Sequence, residues 1–253
     1  MKISVITATI EGGEALRRTL DSVRQQTGVD IEHVVVDGTD GPDVAATAAD
    51  FEGVRVVRRA RAGVYDALNC GIDNTRGDIV GLLHADDTLA DAGTLARVAR
   101  AFADDPDLDF VYGDIRYVSH RAHAPRRIYH ADSFRPEQLR CGIYPPHPTL
   151  YIRRSTACRI GPYSVDYVNC GDYDMWIRLF AARPALKWRY LPGVMVNMPV
   201  GGMSTRYKSY IYTNNIEKLR VLRSHGLPAN PLRLMAKHLS VARRFLNDLF
   251  HGK

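Results

Sequence analysis

The chain has 253 residues, 45% of them hydrophobic, enough to bury the core of one large α/β domain or of one domain with an appendage. A formal net charge of +6 suits an anionic partner, but 28 acidic side chains are mixed among 34 basic ones and no RNA-binding or zinc-finger signature accompanies them, so no nucleic-acid partner is expected. The 4 cysteines lack paired spacing, which argues against a zinc site or a disulfide framework, and no apolar stretch is long enough to cross a bilayer, so a cytoplasmic protein is expected.

The apolar start, Met1 to Ile10, meets Glu11 at once and carries no convincing cleavage site, so residues 2–7 read as a first strand and not a leader. Residues 14–26 follow as a helix, with Leu16, Leu20 and Val23 at helical spacing. A buried strand over 31–36 ends in the turn-rich run from Asp37 to Pro42, and 43–50 reads as helical. Residues 54–57 form a short strand and 67–74 a helix. The strand Ile79 to Leu83 then ends at His84. A helix over 94–103 and a strand over 110–112 complete an alternation that implies βαβ units and a parallel sheet.

Beyond Ser119 the pattern loosens into an irregular region suited to choosing a substrate. Helices return over 172–182, 210–223 and 232–250. The last carries an apolar stripe of Leu232, Met235, Leu239, Ala242, Leu246 and Leu249 opposed by Arg233, Lys237, Arg243 and Arg244. That stripe suits packing on the catalytic domain, a homodimer contact, or peripheral docking at the inner face of an anionic membrane.

Four constellations fall at loops expected above the strand ends, where open α/β sheets bind ligands. Thr7 and Thr9 close the first strand and Asp37 the second, where a carboxylate can accept the N3 hydrogen of a uracil or thymine ring. An Asx turn explains Asp37 equally well. The run Gly63 to Asn69, with Tyr65 and Asp66, opens a helix whose free N–H groups favour phosphate. In His84-Ala85-Asp86-Asp87 two adjacent carboxylates suit a hard divalent cation, Mg²⁺ or Mn²⁺, although Asp87 also reads as a helix cap. Gly171-Asp172-Tyr173-Asp174 opens a helix in which one Asp can take a proton from an attacking hydroxyl. A cap followed by a first-turn acid is the structural alternative.

Taken in order, ISVITAT (Ile3 to Thr9), TLDSVRQQ (Thr19 to Gln26), VVVDGTDGPD (Val34 to Asp43), GVYDALNCGI (Gly63 to Ile72), HADD and GDYDMWIRL (Gly171 to Leu179) resemble glycosyltransferase family 2, over about residues 2 to 210. The resemblance implies a GT-A fold, a Rossmann-like, mostly parallel sheet flanked by helices, as a catalytic domain over 1–209 with a C-terminal helical extension over 210–253. The domain would divide into a nucleotide-sugar half (1–118) and an acceptor half (119–209).

It further implies a metal-dependent inverting transferase that moves a sugar from a nucleoside diphosphate to a hydroxyl of a glycan, lipid-linked or secondary-metabolite acceptor. UDP or dTDP is favoured, with GDP as the other option. Thr7, Thr9, Glu11, Asp37, Tyr65, Asp66, Asn69, His84, Ala85 and Asp86 are the implied donor contacts, and Asp86 and Asp87 the metal positions. Asp172 maps to the catalytic base, with Gly171 where the family usually has Glu. His147, Tyr173 and Asp174 are assigned to the acceptor side, and Gly201-Gly202-Met203-Ser204 resembles a glycine-rich loop of the subgroup. His84 stands where the family's DxD motif has its first carboxylate. The alternatives are a nucleotidyltransferase, disfavoured because Glu11-Gly12-Gly13-Glu14 would repel a triphosphate, and a non-catalytic sugar-nucleotide-binding protein, which would not need Asp172.

Overall fold

The computed structural model describes residues 1–61, 63–119, 122–200 and 208–234. The amino-terminal half alternates strand and helix: β1 (Lys2–Thr9), α1 (Glu14–Arg24), β2 (Asp30–Asp37), α2 (Asp43–Ala48), β3 (Val54–Arg58), α3 (Val64–Asp73) and β4 (Ile79–Leu82). These four strands lie in the order β3-β2-β1-β4, all parallel. Their register decides where the chemistry falls: Thr9 pairs with Asp37 and Asp37 with Arg58, so three strands end side by side at their carboxyl edge.

The strands read as continuous aliphatic runs because both sheet faces are buried and side chains alternate between them. Ile6, Val34, Val36, Val80 and Leu82 join the core beneath α3 and α6, whereas Ile3, Val5, Ile79 and Leu83 pack toward α4 and Val35 toward α1 and α2.

The chain continues through β5 (Thr88–Leu89), α4 (Thr94–Asp104), β6 (Phe110–Val118), β7 (Pro125–Tyr129), two short 3-10 helices (Pro136–Cys141 and His147–Thr149), β8 (Tyr151–Arg153), α5 (Arg154–Ile160), α6 (Gly171–Ala181), β9 (Trp188–Pro199) and α7 (Lys208–Ser224). β8 inserts antiparallel between β4 and β6, and β9 runs parallel to β6 along its length. Gly81 permits the β8 insertion, because a Cβ there would meet the Tyr151 ring at 2.2 Å. The long pairings are parallel and the antiparallel ones short, so the sheet is the mostly parallel one expected.

Two expectations need correction. The segment after Ser119 is not uniformly irregular: it contributes β7, β8 and α5. The strand expected over 110–112 extends to Val118. Its interior acid hid it. Asp114 is only 2% exposed and is satisfied by the Ala131 N–H at 2.8 Å, the Tyr190 hydroxyl at 2.9 Å and His130 Nδ1 at 3.0 Å, partners that local periodicity cannot reveal. Residues 231–234 are helical, and the stripe from 235 onward lies outside the described residues, as does the Gly201 to Ser204 segment. Among the described residues no helix is long and apolar enough to cross a membrane.

Candidate active site

At the joined ends of β1 and β2, Asp37 is almost fully buried. Its Oδ1 accepts the Thr39 backbone N–H at 2.8 Å and the Thr39 hydroxyl at 2.7 Å, so the Asx turn weighed above is present. Its Oδ2 faces Arg58 Nε at 3.7 Å. The Thr9 hydroxyl donates to the Glu11 carbonyl at 2.7 Å and accepts the Glu11 N–H at 3.1 Å, which shapes the turn into α1 and leaves the Glu11 side chain exposed. Thr7 lies elsewhere. It is fully buried and its hydroxyl contacts His33 Nε2 at 3.0 Å, so it braces the sheet interior and does not line the crevice. Burial pushes the pKa of His33 down to about 4 and keeps it neutral.

The first turn of α3 carries Tyr65 and Asp66. Arg59 grips Asp66 with two hydrogen bonds of 3.0 and 3.1 Å, a planar fork that sequence reasoning missed because both residues read as ordinary surface charges. Asn69 is a clamp: its amide nitrogen donates to the Tyr163 carbonyl and its oxygen accepts the Tyr163 N–H, both at 2.8 Å. One donor and one acceptor of the amide are thus spent on the loop after α5, so Asn69 serves at least as a brace between α3 and that loop. The Tyr65 ring stacks on Tyr163 with centroids 6.0 Å apart, and its hydroxyl reaches Asp172 Oδ1 at 3.4 Å.

Past β4, the partly exposed His84 ring lies 6.1 Å from that of His147. Burial, and secondarily the neighbouring His147, pushes the His84 pKa down to about 4. His147 is itself buried, not a surface histidine, and contacts the Tyr163 hydroxyl at 2.9 Å. Burial pushes its pKa down to about 4 as well.

Asp86 has a positive φ of 79°, an uncommon backbone state for a side-chain-bearing residue. Its Oδ1 accepts Arg18 Nε at 3.1 Å and Nη2 at 2.5 Å. Asp87, in contrast, is only 6% exposed, and burial, reinforced by the Asp86 charge, holds its pKa well above the usual carboxylate range. Its burial counts against Asp87 as a second metal position, since the Asp86 side chain, 18% exposed, is the more accessible of the two. No group of three His, Cys, Asp or Glu able to hold a metal ion occurs among the described residues. A divalent ion in a sugar-nucleotide site needs no such cage, since one or two carboxylates act together with substrate phosphates and water. Asp86 supplies one such carboxylate, ion-paired with the Arg18 guanidinium in this structure, which a bound cation would have to displace or share.

Asp172 opens α6 across the crevice. Burial raises its pKa, opposed by hydrogen bonds from the Tyr173 N–H at 2.7 Å and from Tyr144 and Tyr65, and by the charge of Lys218. Gly171 brings α3 close: a Cβ there would sit 2.8 Å from Tyr65 ring atoms, so the ring occupies the space a larger residue would need.

Tyr173 and Asp174 turn away from the crevice, because helical geometry sets Asp174 about 200° around the axis from Asp172. Tyr173 is fully buried and its hydroxyl donates to the Leu139 carbonyl. Asp174 is buried between Arg178 Nε and His225 Nε2, each at 2.8 Å. Both therefore anchor α6, a correction to their acceptor-side assignment. Sequence reasoning also missed Arg18, Tyr144, Tyr163 and Lys218. Nothing local marks them, since each reaches the site from a distant element.

A mostly parallel α/β sheet with carboxylates at its strand ends is the arrangement of the GT-A glycosyltransferases, and the comparisons with known proteins place the chain in that class. The family model for glycosyl transferase family 2 matches residues 4–160. A PGL/p-HBAD biosynthesis glycosyltransferase of Mycobacterium tuberculosis is 36% identical over 207 residues, covering 79% of this chain and 78% of that protein. The O-antigen biosynthesis protein RfbC of Myxococcus xanthus is 32% identical over 191 residues, 73% of this chain and 15% of RfbC.

Two solved structures share the fold. S. aureus TarS 1–349 in complex with UDP-GlcNAc superposes with a TM-score of 0.66 at 16% identity, covering 100% of this chain and 76% of that one. The mannosyltransferase PcManGT from Pyrobaculum calidifontis, in complex with GDP-Man and Mn²⁺, gives 0.64 at 19% identity, covering 93% and 68%. The chain belongs to glycosyl transferase family 2 and is a glycosyltransferase.

Proposed function

We propose that the chain is a metal-dependent inverting transferase that moves a sugar from a nucleoside-diphosphate donor to an acceptor hydroxyl. The observation that carries this reading is Asp172, a partly exposed carboxylate in the crevice, steered by the Tyr173 N–H and the Tyr65 hydroxyl. As base it accepts the acceptor's proton while the hydroxyl oxygen bonds to the anomeric carbon and the bond to the diphosphate breaks on the opposite face. No covalent enzyme intermediate is required.

Asp37 accepts from the nucleobase through Oδ2, which favours UDP or dTDP over GDP, while Thr9 and Glu11 shape the adjoining turn. The first turn of α3 meets the diphosphate with its N–H groups, and His84 borders the ribose. Asp86 would hold a divalent ion, Mn²⁺ or Mg²⁺, which would supply charge neutralisation for the leaving diphosphate. The donor half is then 1–118 and the acceptor half 119–209, and the Tyr65 to Asp172 contact joins them. Relatives named for PGL/p-HBAD and O-antigen biosynthesis support a glycan or lipid-linked acceptor.

The test needs no acceptor. UDP-glucose, dTDP-glucose and GDP-mannose are each incubated with the protein and Mn²⁺, water standing in for the acceptor, and nucleoside diphosphate is quantified. Slow release that requires Mn²⁺ and Asp172 is expected. Release unaffected by Asp172→Asn would overturn the assignment of the base.

A further inference from the structure

Buried charge is expensive unless something nearby compensates it, and α7 buries two neighbouring charged residues. Glu217 is 8% exposed and accounts for itself, since its two carboxylate oxygens accept the N–H groups of Val168 and Asn169 at 3.0 and 2.7 Å, holding the loop that leads into α6. Lys218 is 5% exposed. Its ammonium lies 5.2 Å from the Tyr144 ring centroid and 5.7 Å from that of Tyr173, and these two rings pack 5.2 Å apart. Tyr144 hydrogen-bonds Asp172 through its side chain and Tyr173 through its backbone, so both rings around the ammonium belong to residues that hold the proposed base.

We propose that Lys218 is the electrostatic positioning residue of Asp172: its ammonium, lodged against the rings of Tyr144 and Tyr173, supplies the positive charge that balances the carboxylate. This rests on Asp172 being the base. An aromatic cradle keeps the cation in place without neutralising it, because ring faces attract an ammonium but accept no proton. Its charge therefore remains available to the carboxylate, which must be ionised to act. The other titratable groups around Asp172 are Tyr65 of α3, His84 after β4, Tyr144, Tyr163 and Cys170. Burial raises the pKa of Tyr65, Tyr163 and Cys170 and leaves them uncharged at neutral pH, so among these groups Lys218 is the one whose charge favours the ionised form of Asp172.

The experiment is the pH dependence of Mn²⁺-dependent donor hydrolysis by the full chain, using whichever of UDP-glucose, dTDP-glucose and GDP-mannose raises Tm most. The Lys218 charge lowers the Asp172 pKa, so Lys218→Met should move the acid limb of kcat/KM upward, by about one unit, the lower end of what a nearby opposite charge gives. KM should stay within about threefold, because Lys218 lies against Tyr144 and Tyr173 and is not among the proposed donor contacts. Lys218→Arg keeps the charge and should leave the limb in place.

His84→Gln separates any contribution of His84 to that limb, and in Asp172→Asn the limb should vanish. A Lys218→Met enzyme that is uniformly slower with an unmoved limb would overturn the proposal and make Lys218 a packing residue. If Lys218→Met does not fold, Lys218→Arg decides alone, and a limb displaced by a unit despite the retained charge would overturn it. Failure of the base reading looks different: Asp172→Asn would then keep wild-type hydrolysis and its limb, whatever Lys218 variants do.

Discussion

Exchanging Asp172 and Asp174 separately for Asn should divide chemistry from stability within one helical turn. In Asp174→Asn the shape survives, but the two charge-assisted contacts to Arg178 and His225, each 2.8 Å, become at most one neutral acceptor and one misdirected donor. A hydrogen bond to a charged group contributes about 1.5–3 kcal/mol, and orphaning a buried charge costs about 3–5 kcal/mol. Arg178 is not orphaned, because its guanidinium also donates to the carbonyls of Ile160, Gly161 and Pro162 at 3.0, 3.2 and 2.8 Å.

The cost should therefore fall near the lower figure, about 2 kcal/mol, which for a chain of this size lowers Tm by about 4–8 °C. Activity per folded molecule should stay within about threefold of wild type. Asp172→Asn should behave oppositely, with catalysis reduced by about two to four orders of magnitude and Tm moved by only a few degrees. Asn removes a carboxylate whose ionised form burial disfavours, but it also removes the countercharge of Lys218, and the two effects offset. Differential scanning fluorimetry and donor hydrolysis on both variants complete the comparison. A catalytic collapse in Asp174→Asn with Asp172→Asn active would refute the reasoning and move the base two residues along α6.

Three further outcomes test the donor side. Asp86→Ala, like chelation, should abolish the Mn²⁺-dependent rise in Tm on adding UDP, and full turnover in metal-free buffer would refute metal dependence. Asp37→Ala should weaken UDP or dTDP binding in calorimetry more than it slows bound-state chemistry, since the base is remote from the reacting carbon; tighter GDP than UDP binding by the native chain would contradict the role. Asp87→Asn should raise Tm at neutral pH. Burial keeps the folded carboxyl protonated well above its usual range, so the folded chain retains a proton that the unfolded chain releases above about pH 4, and stability is lost as pH rises from there toward the folded pKa. Loss of the Mn²⁺ response in Asp87→Asn would restore it as a ligand.

The sequence alone determined the alternating strands and helices of the amino-terminal half, the ends of those strands, and the acids placed there. Each is a local property: aliphatic runs mark strands buried on both faces, Asp37 is the last residue of β2, Asp86 lies shortly after β4, and Asp172 sits in the first turn of α6. Tertiary structure decided which polar atoms face the crevice. Thr7 and Thr9 are two residues apart on one strand, yet one pairs with His33 in the interior and the other shapes the crevice turn. Asn69 reads as a ligand contact alone, and only the fold shows that it also clamps Tyr163, 94 residues away. Lys218 reads as one more solvated lysine until α7 folds its ammonium against Tyr144 and Tyr173. Periodicity reports how a segment divides water from core, because burial of apolar surface acts on each segment's own pattern. The partner of a buried polar group is fixed by chain folding over long separations, and no local pattern encodes it.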